Sequence, residues 1–152
     1  MPDTPIPVIL DTDIGGDIDD TWALVMLLNS PELDLKMVVS DSGNTVYRAK
    51  LLARLLEVAG RTDVPVAVGI QEESDGPRER QADWVADYDL DQYPGTVLPN
   101  GVEALVDALE AEPLTLICIG PVPNIGRALE QAPGFAAKTR FVGMHGSIHR
   151  QH

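Results

Sequence analysis

The sequence predicts an α/β protein built on an open, mostly parallel, doubly wound (Rossmann-like) sheet with helices on both faces. Three observations carry that expectation. Apolar runs of strand length alternate with helix-length amphipathic segments along the 152 residues, the pattern of repeated strand–helix units that build a parallel sheet. The first run, Ile6-Pro7-Val8-Ile9-Leu10, is apolar without alternation, as a strand covered on both faces must be. Five aspartates then fall within ten residues, in Asp11-Thr12-Asp13-Ile14-Gly15-Gly16-Asp17-Ile18-Asp19-Asp20. That is the strand end at which such a sheet opens its ligand crevice.

The elements follow in order. A helix starts at Asp19 or Asp20, carries Trp22, Ala23, Val25, Met26 and Leu27, and stops at Asn29-Ser30-Pro31. Leu33–Ser40 begins alternating and ends apolar, a second strand. The turn Asp41-Ser42-Gly43-Asn44 leads into a long helix, roughly Val46 to Ala59, with Ala49, Leu52, Ala53, Leu56 and Ala59 on one stripe. Gly60 fits its C-terminal stop. Val64–Gly69 reads as the third strand, its Pro65 suited to a strand start or an edge. From Ile70 to about Asn100 the chain is polar and reads as a long loop, a feature that is usually functional or disordered. Gly101–Ala111 resumes helical spacing, Leu114–Gly120 is a fourth strand, Pro123–Gln131 a short helix, and Arg140–Met144 a fifth strand. No helix follows to cover that last strand, so one of its faces is expected to be bare. Residues 1–152 are expected to form one domain, incomplete and truncated after the fifth strand.

Composition excludes several function classes. The formal charge of −13 argues against nucleic acid or anionic lipid as partner, since both need a basic face. It also suits a salt-adapted host. The one basic stretch, Arg48, Lys50, Arg54 and Arg61 with Glu57 among them, reads as a solvated helix face. With no apolar run of about 18 residues, no membrane span is expected, and the first residues lack the marks of a secretory signal. The single Cys118 lies in an apolar run and reads as a small core hydrophobe, which fits a cytoplasmic setting. Self-association remains compatible with the sequence.

Weaker signals take plain readings. Trp22 and Trp84 are expected to pack; Trp84, Tyr88 and Tyr93 in the long loop have base stacking as an alternative. His145, His149 and His152 read as a turn and a frayed tail rather than a metal site. Gly15-Gly16 lacks the spacing of a dinucleotide fingerprint.

The aspartate cluster is the informative motif. Crowded carboxylates raise one another's pKa unless a cation or hydrogen bonds compensate. An oxygen-rich cluster with no cysteine or histidine suits a hard cation, Ca²⁺ or Mg²⁺. The plainer reading makes Asp19 or Asp20 an N-cap, favoured there by the helix dipole. An EF-hand loop opening at Asp11 would need glutamate where Trp22 stands, and a helix where a strand precedes. Haloacid-dehalogenase-like Mg²⁺ phosphatases also open on a strand and Asp-x-Asp, but Gly15 replaces their usual Thr or Val and their later lysine and acidic pair are not evident.

The segment Asp11-Thr12-Asp13-x-Gly15 followed by Asp19-Asp20 and a helix resembles the opening motif of the inosine–uridine-preferring nucleoside hydrolases. Ser42-Gly43-Asn44, Asp63–Gly69, Ile119-Gly120-Pro121-Val122-Pro123-Asn124-Ile125 and Met144-His145-Gly146 resemble later segments of that family in order and spacing. The resemblance implies hydrolysis of the N-glycosidic bond of ribonucleosides, a small-molecule nucleoside substrate and a Ca²⁺ cofactor. It implies Asp13 and Asp20 as carboxylate ligands and the carbonyl of Pro123 as another, where most members have threonine; proline keeps that oxygen. Asp19 would be the general base, and Asp11 and Asn44 would line or support the ribose site. Two departures stand out. Asp17-Ile18 lengthens the loop, so Asp17 competes with Asp19 for the base role, and segment 72–92 replaces a histidine-containing loop of many members. Because members run on past His152, this chain alone is expected to bind Ca²⁺ weakly and turn over little; a binding module without turnover is the alternative.

Overall fold

A computed structural model describes residues 4–72 and 79–145. The elements are β1 (Ile6–Thr12), α1 (Asp19–Leu28), β2 (Leu33–Ser40), α2 (Thr45–Val58), β3 (Val66–Val68), β4 (Val97–Leu98), α3 (Gly101–Ala111), β5 (Thr115–Cys118), α4 (Pro123–Gln131) and β6 (Arg140–Gly143). Short 3₁₀ helices occupy Ala82–Val85, Leu90–Gln92 and Pro133–Ala137. Every strand pair is parallel, in the order β4-β3-β2-β1-β5-β6. The chain walks outward from β1 to β4, then resumes at β5 on the other side of β1. That reversal makes the sheet doubly wound and leaves a crevice above the carboxyl ends of β1 and β5.

Alternation along β1 divides the core. Val8 and Leu10 face α1 and α2, where they meet Leu24, Leu27, Leu51, Leu52 and Leu56. Ile9 faces the other way with Val39, Ala67 and Leu116, packing on Val102, Leu105 and Leu109 of α3 and on Ile125 and Ala128 of α4. Side chains two residues apart in a strand share a face, so one apolar run can feed both layers. Cys118 is wholly buried in the second layer, and that burial pushes its thiol pKa up.

Helix α2 shows how the local sequence sets an element. The Asn44 side chain accepts a hydrogen bond from Tyr47 N at 3.1 Å, satisfying one of the amides that a helix start leaves free. Past the other end Gly60 takes φ +69°, the left-handed conformation that favours glycine.

The structure corrects the sequence reading at four places. The stretch expected to be loop contains β4, which pairs Val66 with Val97 and Ala67 with Leu98. Among the described residues the sheet therefore has six strands, and Arg140–Gly143 is the sixth, not the fifth. Tyr88 and Tyr93 from that stretch are buried against α2, their hydroxyls donating to Glu57 Oε2 at 2.8 Å and Val64 O at 2.7 Å, so they belong to the core and not to a base-stacking surface. Trp22 and Trp84, expected to pack, are 65% and 38% exposed; Trp84 lies under the Arg54 guanidinium, 5.4 Å from its ring centre. Arg48, expected on a solvated face, is buried.

All four residues of β6 are exposed, Phe141 and Val142 among them. No helix among the described residues is long and apolar enough to cross a membrane.

Candidate active site and metal centre

A cleft of about 640 Å³ opens above the carboxyl ends of β1 and β5. Asp13, Asp17, Asp19 and Asp20 line one side, Gly120, Pro121 and Val122 another, with Arg48, Met144 and His145 completing the wall. Four of the five clustered aspartates therefore meet at one opening.

Beneath the cleft lies a buried acidic floor. Asp11 on β1 and Asp41 just past β2 are fully buried. Asn124 in the first turn of α4 clamps them: its Nδ2 donates to Asp11 Oδ2 at 2.9 Å, Ser40 O at 3.1 Å and Asp41 Oδ1 at 3.2 Å, while its Oδ1 accepts from Ile70 N at 2.8 Å. Asp41 Oδ2 accepts from Val122 N at 2.9 Å. Burial, reinforced by Asp41, drives the Asp11 carboxyl well above its usual range; burial also raises Asp41. Asp11 Oδ1 has no hydrogen-bond partner among the described residues. Burial beside a second acid thus favours the protonated form of Asp11 over its carboxylate.

Asp20 and Asp13 form the upper pair. Thr12 Oγ1 donates to Asp20 Oδ2 at 2.5 Å and accepts from Ile14 N at 3.1 Å. Burial pushes the Asp20 pKa up to about 7; the Thr12 hydrogen bond opposes this, and Asp13, within hydrogen-bonding reach, adds to the rise. The two carboxylates stand side by side, the arrangement a cation would relieve.

Asp19 is exposed on the cleft wall, whereas Asp17 is ion-paired to Arg80. That pairing distinguishes the two contenders for the base role, since Asp17 already has a cationic partner. Neither Asp19 nor Asp20 caps α1: the N-cap is Ile18, without a side-chain cap, and both aspartates occupy the first turn, where the helix dipole favours negative charge.

Two expected residues stand apart from the cleft lining. Asn44 is engaged as the cap of α2 and donates through Nδ2 to Glu79 Oε1 at 2.8 Å. Pro123 is the first residue of α4, one step beyond Val122. Val122 itself takes φ +67°, an unusual value for a β-branched residue, and this bend delivers Pro123 to the helix position that proline suits. Gly120 permits the close approach of this turn: a Cβ there would lie 2.6 Å from Asp41 Oδ2 and 3.0 Å from Asp13 N.

Asp41, Asn124 and Arg48 have no role in the sequence reading. For Asp41 a signal exists, since the residue following β2 lies at the same end of the sheet as the acid near the end of its parallel neighbour β1. Asn124 and Arg48 emerge only from tertiary packing. His149, His152 and Gly146 lie outside the described residues.

The cleft's donors are carboxylate and main-chain oxygens, chemistry that fits a hard cation such as Ca²⁺ or Mg²⁺. Among the described residues no three Asp, Glu, His or Cys side chains are placed to hold an ion together. The Asp13–Asp20 pair fits as two ligands, with the remaining positions left to main-chain, water or substrate oxygens.

Comparison with known proteins agrees with this architecture. The family described as inosine-uridine preferring nucleoside hydrolase matches residues 8–152. Pyrimidine-specific ribonucleoside hydrolase RihA of Enterobacter sp. (strain 638) is 38% identical over 94% of this chain and 49% of its own length. Probable uridine nucleosidase 2 of Arabidopsis thaliana is 35% identical over 85% of this chain and 43% of its own. Among solved structures, a plant nucleoside hydrolase superposes with a TM-score of 0.75 at 30% identity, over 94% of this chain and 48% of that one. A Bacillus anthracis structure of inosine-uridine preferring nucleoside hydrolase gives a TM-score of 0.76 at 21% identity, over 95% of this chain and 51% of that one, a likeness of fold. The chain spans about half the length of the curated relatives it matches.

Proposed function

Because this chain belongs to the inosine–uridine-preferring nucleoside hydrolase family, we propose that its acidic cleft carries the metal and general-base half of an N-ribohydrolase site. The reaction is hydrolysis of a ribonucleoside to free base and ribose. The observation that carries this reading is the side-by-side placement of Asp13 and Asp20, with Asp20 pushed to about 7.

Asp13 and Asp20 would hold Ca²⁺, with a main-chain oxygen of the turn into α4, assigned by the family resemblance to Pro123. When bound, the ion supplies charge that orients sugar hydroxyls and makes a water more acidic. Asp19 accepts the proton of the attacking water at its carboxylate; its exposure on the cleft wall leaves it accessible, while Arg80 occupies Asp17. The surrounding carboxylates favour the positive charge that develops on the sugar as the N-glycosidic bond breaks. Asp11, buried with Asp41, supports the floor beneath the ribose position rather than touching substrate. Asn44, at the start of α2 and outside the cleft lining, would support the ribose site, the role that the family resemblance assigns it. The free, buried Cys118 is consistent with a cytoplasmic setting. Family membership displaces the phosphatase alternative.

The test is release of reducing sugar from a panel of purine and pyrimidine nucleosides, with Ca²⁺ and with a chelator. Asp19→Asn is expected to lower kcat by about 10²- to 10⁴-fold, the usual contribution of a general base, while Ca²⁺ binding persists. Ribose release indifferent to both the chelator and Asp19→Asn would overturn the reading. Ca²⁺ and nucleoside binding with no ribose release would instead support a module that binds without turnover.

A further inference from the structure

The acidic loop after β1 is tied to the first turn of α2 by an unusual set of contacts. Arg48 is 8% exposed. Its Nε donates to Ser42 O at 2.8 Å, and its Nη1 donates to Ile14 O at 2.7 Å and to Asp13 O. The neighbouring Tyr47 hydroxyl donates to Gly15 O at 3.2 Å. Three consecutive carbonyls, those of Asp13, Ile14 and Gly15, are thus gathered by two adjacent side chains. Among the described residues the hydrogen-bond partners of Arg48 are all main-chain oxygens.

A buried cation that spends its donors on carbonyls is costly to place unless it fixes something. Here the fork spans two loops. It joins the turn after β2, where Ser42 holds φ +61°, to the loop that presents Asp13. Gly15 at φ +98° is part of the same arrangement: a Cβ there would come 2.4 Å from Leu51 Cδ1 and 2.7 Å from the Tyr47 hydroxyl. Arg48 is also among the residues that line the cleft with Asp13, Asp19 and Asp20.

We propose that Arg48 is a positioning residue: it holds the main chain of Asp13 and Ile14 so that the Asp13 carboxylate meets that of Asp20 across the cation position. The inference rests on the metal site proposed above and extends it to a residue outside the aspartate motif. It makes a prediction of opposite sign to simple electrostatics. Removing a positive charge beside a cation site strengthens cation binding if charge alone matters. Removing a strut that aligns two ligands weakens it, typically by about 10- to 100-fold for a partner that orients a ligand.

The test compares Arg48→Gln and Arg48→Lys with the wild-type chain by titration with Ca²⁺ alone, and by amide exchange of the metal-free proteins. Both variants are expected to lose about tenfold or more in Ca²⁺ affinity, because lysine keeps the charge but not the planar fork that reaches both loops. Exchange at the Ile14 amide, which Thr12 Oγ1 accepts, is expected to accelerate while the β5 amides keep their protection. Wild-type affinity in Arg48→Lys shows that charge suffices and overturns the proposal, as does equal or tighter binding in Arg48→Gln. If Arg48→Gln does not fold, Arg48→Lys alone decides by the same readings. A wild-type chain that binds no Ca²⁺, with Ile14 exchange still accelerated in the variants, sustains the positioning of the loop and removes the metal reading instead. Unchanged Ile14 exchange overturns the positioning itself.

Discussion

Asp20 is the residue whose ionisation most directly reports the electrostatics of the cleft. Its folded pKa of about 7 exceeds the ordinary value of 3.8 because the carboxyl is buried and faces Asp13. Between those two values the folded chain holds a proton that the unfolded chain has released, so stability falls as pH rises through the window. Asp11 and Asp41, both raised by burial, act in the same direction. A divalent ion would take the place of the proton, and metal binding to carboxylates strengthens as they deprotonate. The rise in melting temperature on adding Ca²⁺ is therefore expected to be larger near pH 8 than at about pH 5. An equal shift at both would mean that the ion does not act at these carboxylates.

The same scale shows what a sequence conceals. The carboxylates of the Asp13–Asp20 loop announce themselves because their number exceeds what capping or solvation needs. Asp41 is a single acid in a turn, and only the parallel pairing of β1 with β2 brings it to Asp11. Arg48 sits among other basic residues on a helix, and nothing in spacing separates a buried guanidinium from Lys50 and Arg54, which pair with the exposed Asp89 and Asp87.

Elements were legible in proportion to their length. The fourteen residues of α2 and the eight of β2 carry enough periodicity to be recognised, and Gly60 marks a stop. Two residues of β4 carry none, so a strand that owes its existence to pairing with β3 was hidden in a polar stretch. The tyrosines beside it were misplaced for the same reason: their burial depends on α2 lying over them. Helix α1 misled in a different way. It is apolar on nearly every side, so its sequence does not say which face turns outward; of its large apolar residues Trp22 and Met26 are exposed, as is Ile18 at its N-cap.

At the level of the element, Asn44 has a defined mechanical task. Its Oδ1 caps α2 through Tyr47 N, at the helix end that also bears Arg48. Asn44→Ala is expected to cost about 1 kcal/mol in a urea unfolding experiment, the usual value of a lost N-cap. If Asn44 also touches ribose, KM for nucleoside rises in the same variant while Ca²⁺ affinity does not change. A variant of undiminished stability would show that the cap is not holding the helix.

The molecule as a whole places its acidity to a purpose. A net charge of −13 draws cations and repels polyanions, and the densest part of that charge lies at the crossover of the sheet, above β1 and β5. The doubly wound order made this location foreseeable, since the crevice of such a sheet forms where strand order reverses. The resemblance in the aspartate motif and the order of the sheet lead to one family, matched over residues 8–152.

The most direct test of the account is a Ca²⁺ titration followed through the amide resonances of Asp13 and Asp20, carried out on the chain and on its Asp13→Asn, Asp20→Asn and Asp17→Asn variants. One saturable ion is predicted, bound weakly, lost in the first two variants and retained in the third. Resonances that do not move with Ca²⁺, or binding that survives in Asp13→Asn and in Asp20→Asn, would contradict it.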